Sequence, residues 1–342
     1  MTFNFDGCCG EGYFIDCKGI HLFDDRKISV INIVVDHPFY YHKFLPFLPK
    51  DYCQISIDRE HEAYLQYYFP EIKRGPFLPL AGTSLWKEDT LPKWEERPYD
   101  VVFTGNYTPL SKFEPTIERH GKEYADFYYG IIEDFKKHPH LGMDIGIREH
   151  LLSEVEDITE DGVKEMMPNM IMIDLYVRNY FRGKVVQTLV NAGVSVHCFG
   201  AGWEFLPCEH PENLIKEGGV DSLACLQALS KAKVSLNVMP WFKDGAHDRV
   251  FNSMLNGAVC FTDWSRYLAE NLRDGEDIFF YELDALECLP DTVQGILENR
   301  KKWEHMQKAA YETAEKSHTW EHRANTLNKE ILSKIRLSLI HI

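Results

Sequence analysis

Residues 234–263 read VSLNVMPWFKDGAHDRVFNSMLNGAVCFTD, and this stretch decides the fold. Val234, Leu236 and Val238 alternate as a buried strand does, and lead into a loop holding Asp244, Gly245, Ala246, His247 and Asp248. A helix is predicted from about Arg249, because Val250, Phe251, Met254 and Leu255 recur at helical spacing and Gly257 closes it. A second apolar run, AVCFTD, follows at once. Strand, loop, helix and strand in that order build a parallel sheet. The loop gathers glycine, histidine and arginine where free helix N–H groups and the positive end of the dipole point, which suits a diphosphate. The other reading is an ordinary α/β helix capped by Asp248.

Working outward, the sequence has room for two domains: 342 residues with 44% hydrophobic content fill two cores. The formal charge of −16 argues against sequence-independent binding to nucleic acid or anionic lipid, which need basic surfaces. A local basic pocket for a phosphorylated ligand is compatible with it. Nine cysteines show no CxxC pair, and several sit in strand-like runs, as buried thiols of a reducing cytoplasm do. The histidines lack HExxH or paired spacing, so no metal site is expected. No stretch approaches a membrane span and the N-terminus has no charged-then-apolar signal, so a cytoplasmic protein is expected.

Residues 28–35, ISVINIVV, read as a central parallel strand ending in Asp36-His37-Pro38. Polar groups at that end face the crevice where open α/β sheets bind ligands. Residues 52–58 repeat the pattern, and 76–80 are a short further candidate. A polar linker, KWEERP, then separates a short first domain (1–98) from a second (99–342). The second opens on the strand YDVVFT and carries a helical insertion at about 111–176. A basic amphipathic helix over 177–192 holds Arg178, Arg182 and Lys184, and the strand VSVHCFG follows it. The aromatic run YADFYYGIIEDF reads as core-facing helix stripes.

Gly105-Asn106 and Gly200-Ala201-Gly202 each follow a strand, where backbone can approach a phosphate or base or simply turn tightly. Trp203 either stacks on a base or packs. Arg249, in the first turn of its helix, opposes the dipole unless an anion neutralises both. His247 either assists a phosphate or decorates the loop. Asp244 either accepts from sugar hydroxyls or makes an Asx turn. Asp36 and His37 either handle a proton and sugar hydroxyls or form a plain strand-end turn.

With those residues laid out, the chain resembles the GT-B glycosyltransferases, specifically the CgeB-like branch of group 1. The resemblance rests on residues 236–270, on DGEDIFFYE and SHTWEHRA downstream, and on DVVFTGNY and VHCFGAGWE. It implies two Rossmann-like domains facing a cleft and a nucleotide-diphosphate sugar, UDP- or GDP-linked, as donor. The acceptor is a glycan, protein or small molecule, and transfer proceeds with retention and without a metal or other cofactor. It puts Asp244 at the transferred sugar, Gly245 to Arg249 at the diphosphate and Asn252 at the ribose. Gly105-Asn106 would approach the phosphates, and the Gly200–Gly202–Trp203 loop the base. His37, Asp36 and Arg249 become the catalytic candidates. Two departures stand out: Asn252 replaces the family's glutamate, and the first domain is short, as if strands upstream of MTFN were absent. A nucleotide-sugar epimerase and a degenerate binding or assembly module are the alternative readings.

Overall fold

The computed structural model describes residues 2–5 and 22–332; cysteines 8, 9 and 17 lie outside them. Two parallel sheets face each other. The first follows chain order: β1 (Thr2–Phe5), β2 (Val30–Val34), β3 (Tyr52–Ser56) and the two-residue β4 (Lys73–Arg74). The short helix α1 (Leu22–Asp25) precedes β2, and α2 (Arg59–Tyr68) follows β3. Residues 76–80, expected as a strand, are not one. Prolines at 76 and 79 remove ladder donors, and only Gly75 and Leu78 donate to β3, at Gln54 O and Ser56 O.

The second sheet has the order β10-β9-β8-β5-β6-β7, with every pair parallel. Its strands are β5 (Tyr99–Thr104), β6 (Val196–Phe199), β7 (Leu214–Gly218), β8 (Ala232–Asn237), β9 (Val259–Asp263) and β10 (Phe279–Tyr281). The order reverses at β5, so the C-terminal ends of β5 and β8 flank a topological switch point, where such sheets bind ligands. Between β5 and β6 come α3 (Glu114–Glu118), α4 (Lys122–Lys137), α5 (Met143–Glu154), α6 (Glu160–Met166) and α7 (Ile171–Asn191). The aromatic run does turn one stripe inward, through Tyr128, Ile131, Ile132 and Phe135 of α4.

α7 corrects the expected amphipathic helix. It begins at Ile171 and buries residues round its whole circumference, among them Asp174, Val177, Asn179, Phe181 and Val185. Helices α8 (Ser222–Ser230), α9 (Asp248–Leu255) and α10 (Arg266–Asn271) cover the sheet, and α11 (Leu289–Leu297), α12 (Arg300–Ser317) and α13 (Trp320–Leu327) close the chain.

The two sheets share their cores. One cluster joins Ile31, Ile55 and Ile57 of the first half to Met239, Phe242 and Phe251 of the second. The linker KWEERP is pinned down: Arg97, fully buried, donates to the carbonyls of Pro92, Leu229, Ala232 and Asn256. The chain then returns to the first half. Gly82 pairs with Thr319, and the Arg323 guanidinium donates to Pro79 O and Leu80 O.

Candidate functional site

An open cavity of about 280 Å³ lies at the switch point, lined by Gly105, Asn106, Gly200, Ser222, Arg249 and Asn252 together with neighbours from α8 and from His247 and Asp248. The turn after β5 forms its floor. Gly105 N–H donates to Phe199 O, and the Asn106 side chain accepts from Ala201 N–H. Among the described residues the Asn106 backbone N–H has no hydrogen-bond partner. Gly200 is required by close approach: a Cβ there would fall 2.1 Å from Gly105 O.

Gly202 and Trp203 lie behind this floor. A Cβ on Gly202 would sit 1.9 Å from Tyr107 O. Trp203, expected as a possible base platform, is 1% exposed, stacks on Tyr107 and donates Nε1–H to Gly105 O at 2.8 Å. It has no face left for a base. It supports the floor from below.

The helix N-terminus also departs from expectation. The N-cap of α9 is His247, not Asp248: its Nδ1 accepts the Arg249 N–H at 3.2 Å, and its carbonyl accepts Val250 N–H. The amides of Arg249 and Val250 are therefore already satisfied. Burial, then the Arg249 charge, lowers the His247 pKa, while the Asp248 carboxylate, 2.6 Å from the same Nδ1, opposes the shift. An anion here meets the dipole and the Arg249 side chain, beside the Asp248 carboxylate that lines the same cavity.

Arg249 is 8% exposed, donates Nη1–H to Asn237 Oδ1 at 2.6 Å, and lies over the Phe103 ring. No carboxylate lies within 4 Å of it among the described residues. Burial lowers its pKa, yet an arginine still carries its charge at neutral pH. Arg182, which the sequence placed on a basic amphipathic helix, reaches the Asn106 turn from α7 without lining the cavity. Its Nη1–H donates to Asn106 O at 2.5 Å.

Asp244 and Gly245 go elsewhere. Both Asp244 carboxylate oxygens are held by arginines, Arg59 at 2.9 Å and Arg266 at 3.3 Å, and neither Asp244 nor Gly245 lines the cavity. Gly245 packs on the end of β3, where a Cβ would meet Ile57 O at 2.6 Å, and Ala246 is buried in the shared core. Their loop docks the halves together. Asn252 lines the cavity, but its amide accepts from Thr83 N–H and donates to Asp248.

His37 lines a second, enclosed space with His61, Glu60, Asp174, Trp241 and Lys243. Its Nδ1 accepts from Phe39 N–H, and its Nε2 is 3.8 Å from Asp144. Burial lowers both histidines, and neither His61 ring nitrogen has a hydrogen-bond partner among the described residues. Asp36 is half-buried, and its charge acts on Arg178. Arg178 and Arg182 both stand over Trp241, at 4.0 and 5.7 Å, so that indole links the two spaces.

Among the described residues one grouping has metal-ligand spacing, His140, Glu282 and Asp284. It is exposed, outside the cavity, and His140 Nε2 lies 3.0 Å from a Glu282 carboxylate oxygen. No helix of the described residues is long and apolar enough to cross a membrane.

This architecture is GT-B: two Rossmann-like halves around a cleft, the first small, the second enlarged by the helices between β5 and β6. Residues 182–329 match the family model described as glycosyl transferase-like. The chain is similar in fold to sucrose-phosphate synthase from Thermosynechococcus elongatus (TM-score 0.51, 12% identity, 91% of this chain and 69% of that one). It is similar to Alr3699/HepE of Anabaena in complex with UDP-glucose (TM-score 0.51, 8% identity, 91% and 72%). No curated protein matches.

Proposed function

We propose that this chain is a glycosyltransferase of the CgeB-like kind, taking a hexose from a UDP- or GDP-linked donor to a glycan, protein or small-molecule acceptor, with retention and without a metal. The observation that carries the reading is the buried Arg249, in no ion pair within 4 Å among the described residues, facing the Gly105–Asn106 turn across the switch-point cavity. A diphosphate there receives a forked donor, a helix dipole and the Asn106 N–H. As the sugar bond breaks, charge builds on the departing diphosphate, and Arg249 is positioned to stabilise it without reorganisation. His37 and His61, beyond Trp241, line a space of about 10 Å³, too small for a sugar, and shape the wall of the cleft. The glycosyl transferase-like match over residues 182–329 and the HepE likeness support the class.

One observation favours the binding-module alternative. Asp244 and Asn252, two positions assigned to the donor by resemblance, are engaged in the protein's own framework. A thermal-shift panel with UDP, GDP, ADP, CDP and TDP on the wild type and Arg249→Ala tests donor binding. At about a hundred times its dissociation constant a ligand stabilises the fold by roughly 2.7 kcal/mol. One nucleotide stabilising the wild type and not the variant is the expected result; none doing so removes the donor-site assignment. Slow hydrolysis of the matching nucleotide sugar then separates the enzyme from the binding module.

A further inference from the structure

We infer that the cleft between α2 and the ends of β9 and β10 is a second binding site, one that takes a single uncharged sugar ring. It stands apart from the donor-site reading, since it shares no lining residue with the switch-point cavity.

The sheet builds one wall. β9 and β10 pair in parallel with Tyr281 opposite Asp263, so the next residues, Trp264 and Glu282, leave neighbouring strands side by side. Ser265 fixes the turn after β9: its Oγ donates to Gly245 O and accepts Leu268 N–H at the start of α10. Glu60, in the first turn of α2, closes the cleft from the first half. Lys243 lines it too, and its Nζ donates to Pro139 O, which draws in the loop carrying His140. The space between is about 70 Å³, room for about five waters and so for one sugar ring in their place.

Its polar groups are short of partners. Asp263 is 3% exposed; one carboxylate oxygen accepts Met239 N–H at 2.7 Å, and the other has no hydrogen-bond partner among the described residues. The Glu60 carboxylate has neither a hydrogen bond nor an ion pair within 4 Å among them. Burial raises the pKa of both carboxylates, as expected where water is scarce and no donor replaces it. An ammonium has three donors, and Lys243 uses one, on Pro139 O. The exposed Arg266 side chain hydrogen-bonds Asp244 alone among the described residues.

Those groups select the ligand. A metal ion would meet Lys243 and Arg266, and an anion would meet Glu60, Asp263 and Glu282. A hydroxyl both donates and accepts, so neighbouring hydroxyls give to the carboxylates while taking from the cations. Beside them Trp264, 38% exposed, offers an indole, and Pro139 and Leu283 continue the apolar surface. An indole open to water beside a polar cleft packs on the C–H face of a ring, which a linear polyol does not present. A ring with hydroxyls round its rim and hydrogens on its face is a sugar.

The test is saturation-transfer NMR with glucose, galactose, mannose and N-acetylglucosamine, without nucleotide, on wild type, Trp264→Ala, Trp264→Phe, Glu60→Gln and Arg249→Ala, each checked for an unchanged melting temperature. At least one sugar is expected to bind the wild type with a dissociation constant of about 1 mM. Trp264→Ala and Glu60→Gln should each weaken it at least about tenfold, Trp264→Phe should keep part of the affinity, and Arg249→Ala should leave it as it is. The 6-phosphate and 6-amino-6-deoxy forms of the sugar that binds should bind more weakly. No signal from any of the four sugars on the wild type overturns the inference, as does binding that either Trp264→Ala or Glu60→Gln leaves untouched. Loss of binding in a folded Arg249→Ala puts the sugar in the switch-point cavity and overturns it as well. A charged form preferred over its neutral parent overturns the ligand class.

Discussion

The carboxylate of Asp58, at the end of the first sheet, accepts the backbone N–H of Asp244, beyond the second sheet, at 3.0 Å. The same carboxylate accepts Lys243 N–H at 3.1 Å and caps α2 through Glu60 N–H at 2.8 Å. One fully buried side chain therefore satisfies three amides from both halves. Asp58→Ala is expected to destabilise the protein by about 3 kcal/mol, because the amides become buried and unpaired. Asp58→Asn keeps one acceptor oxygen and costs less. Urea unfolding of the two variants checks the order.

Gly200 faces the backbone of the β5 turn, so Gly200→Ala must displace Gly105. The expected cost is about 2 kcal/mol, with weaker nucleotide binding. Gly219→Ala, where a Cβ meets nothing within 4 Å, is the matched control and should change neither.

Trp203 holds the floor of the cavity without lining it. Trp203→Phe removes the bond to Gly105 O and should lower stability by about 1–2 kcal/mol. Nucleotide affinity should stay within about threefold, since no stacking contact is lost. A loss beyond a hundredfold with the melting temperature unchanged would restore Trp203 as a base platform.

His318 is buried, stacked on Phe251 at 4.3 Å, and accepts from Arg323. Burial, then the Arg323 charge, pushes it down to about 3. The unfolded chain takes up a proton near 6.5 and the folded one does not, so this stability is present above 6.5 and is lost as pH falls toward 3. Between pH 7.5 and 5.5 the group removes at most about 1.4 kcal/mol. Denaturant titrations at both values should show a smaller pH difference for His318→Gln than for wild type.

The sequence made β5, β6, β8 and β9 legible because they are apolar runs ending near Gly105, Gly200 and Asp263, whereas the edge strand β7, LIKEG, carries no such signal. β4 was not legible: Lys73-Arg74 carries no apolar signal, while the apolar run after it is broken by prolines. The cavity's glycines and Arg249 were visible as strand-end and helix-start punctuation. The contact of Arg182 with the Asn106 turn was not visible. α7 is buried on all sides, so helical periodicity does not single out a face, and the partner Asn106 is 76 residues away. Trp203 had two readings, a base platform or plain packing, and the contacts with Tyr107 and Phe103 decide for packing.

The return of the chain to the first half has a mechanical consequence. Arg97 fixes the outgoing segment to the second sheet, and the Gly82–Thr319 pairing with Arg323 fixes the returning one to the first. The shared core and the Asp58 amide bonds hold the halves between these two anchors, so the first half is clasped along its length as well as at both ends. Cutting the chain after Ser317 would open one end of the clasp while leaving the cavity at the switch point with every residue it now has.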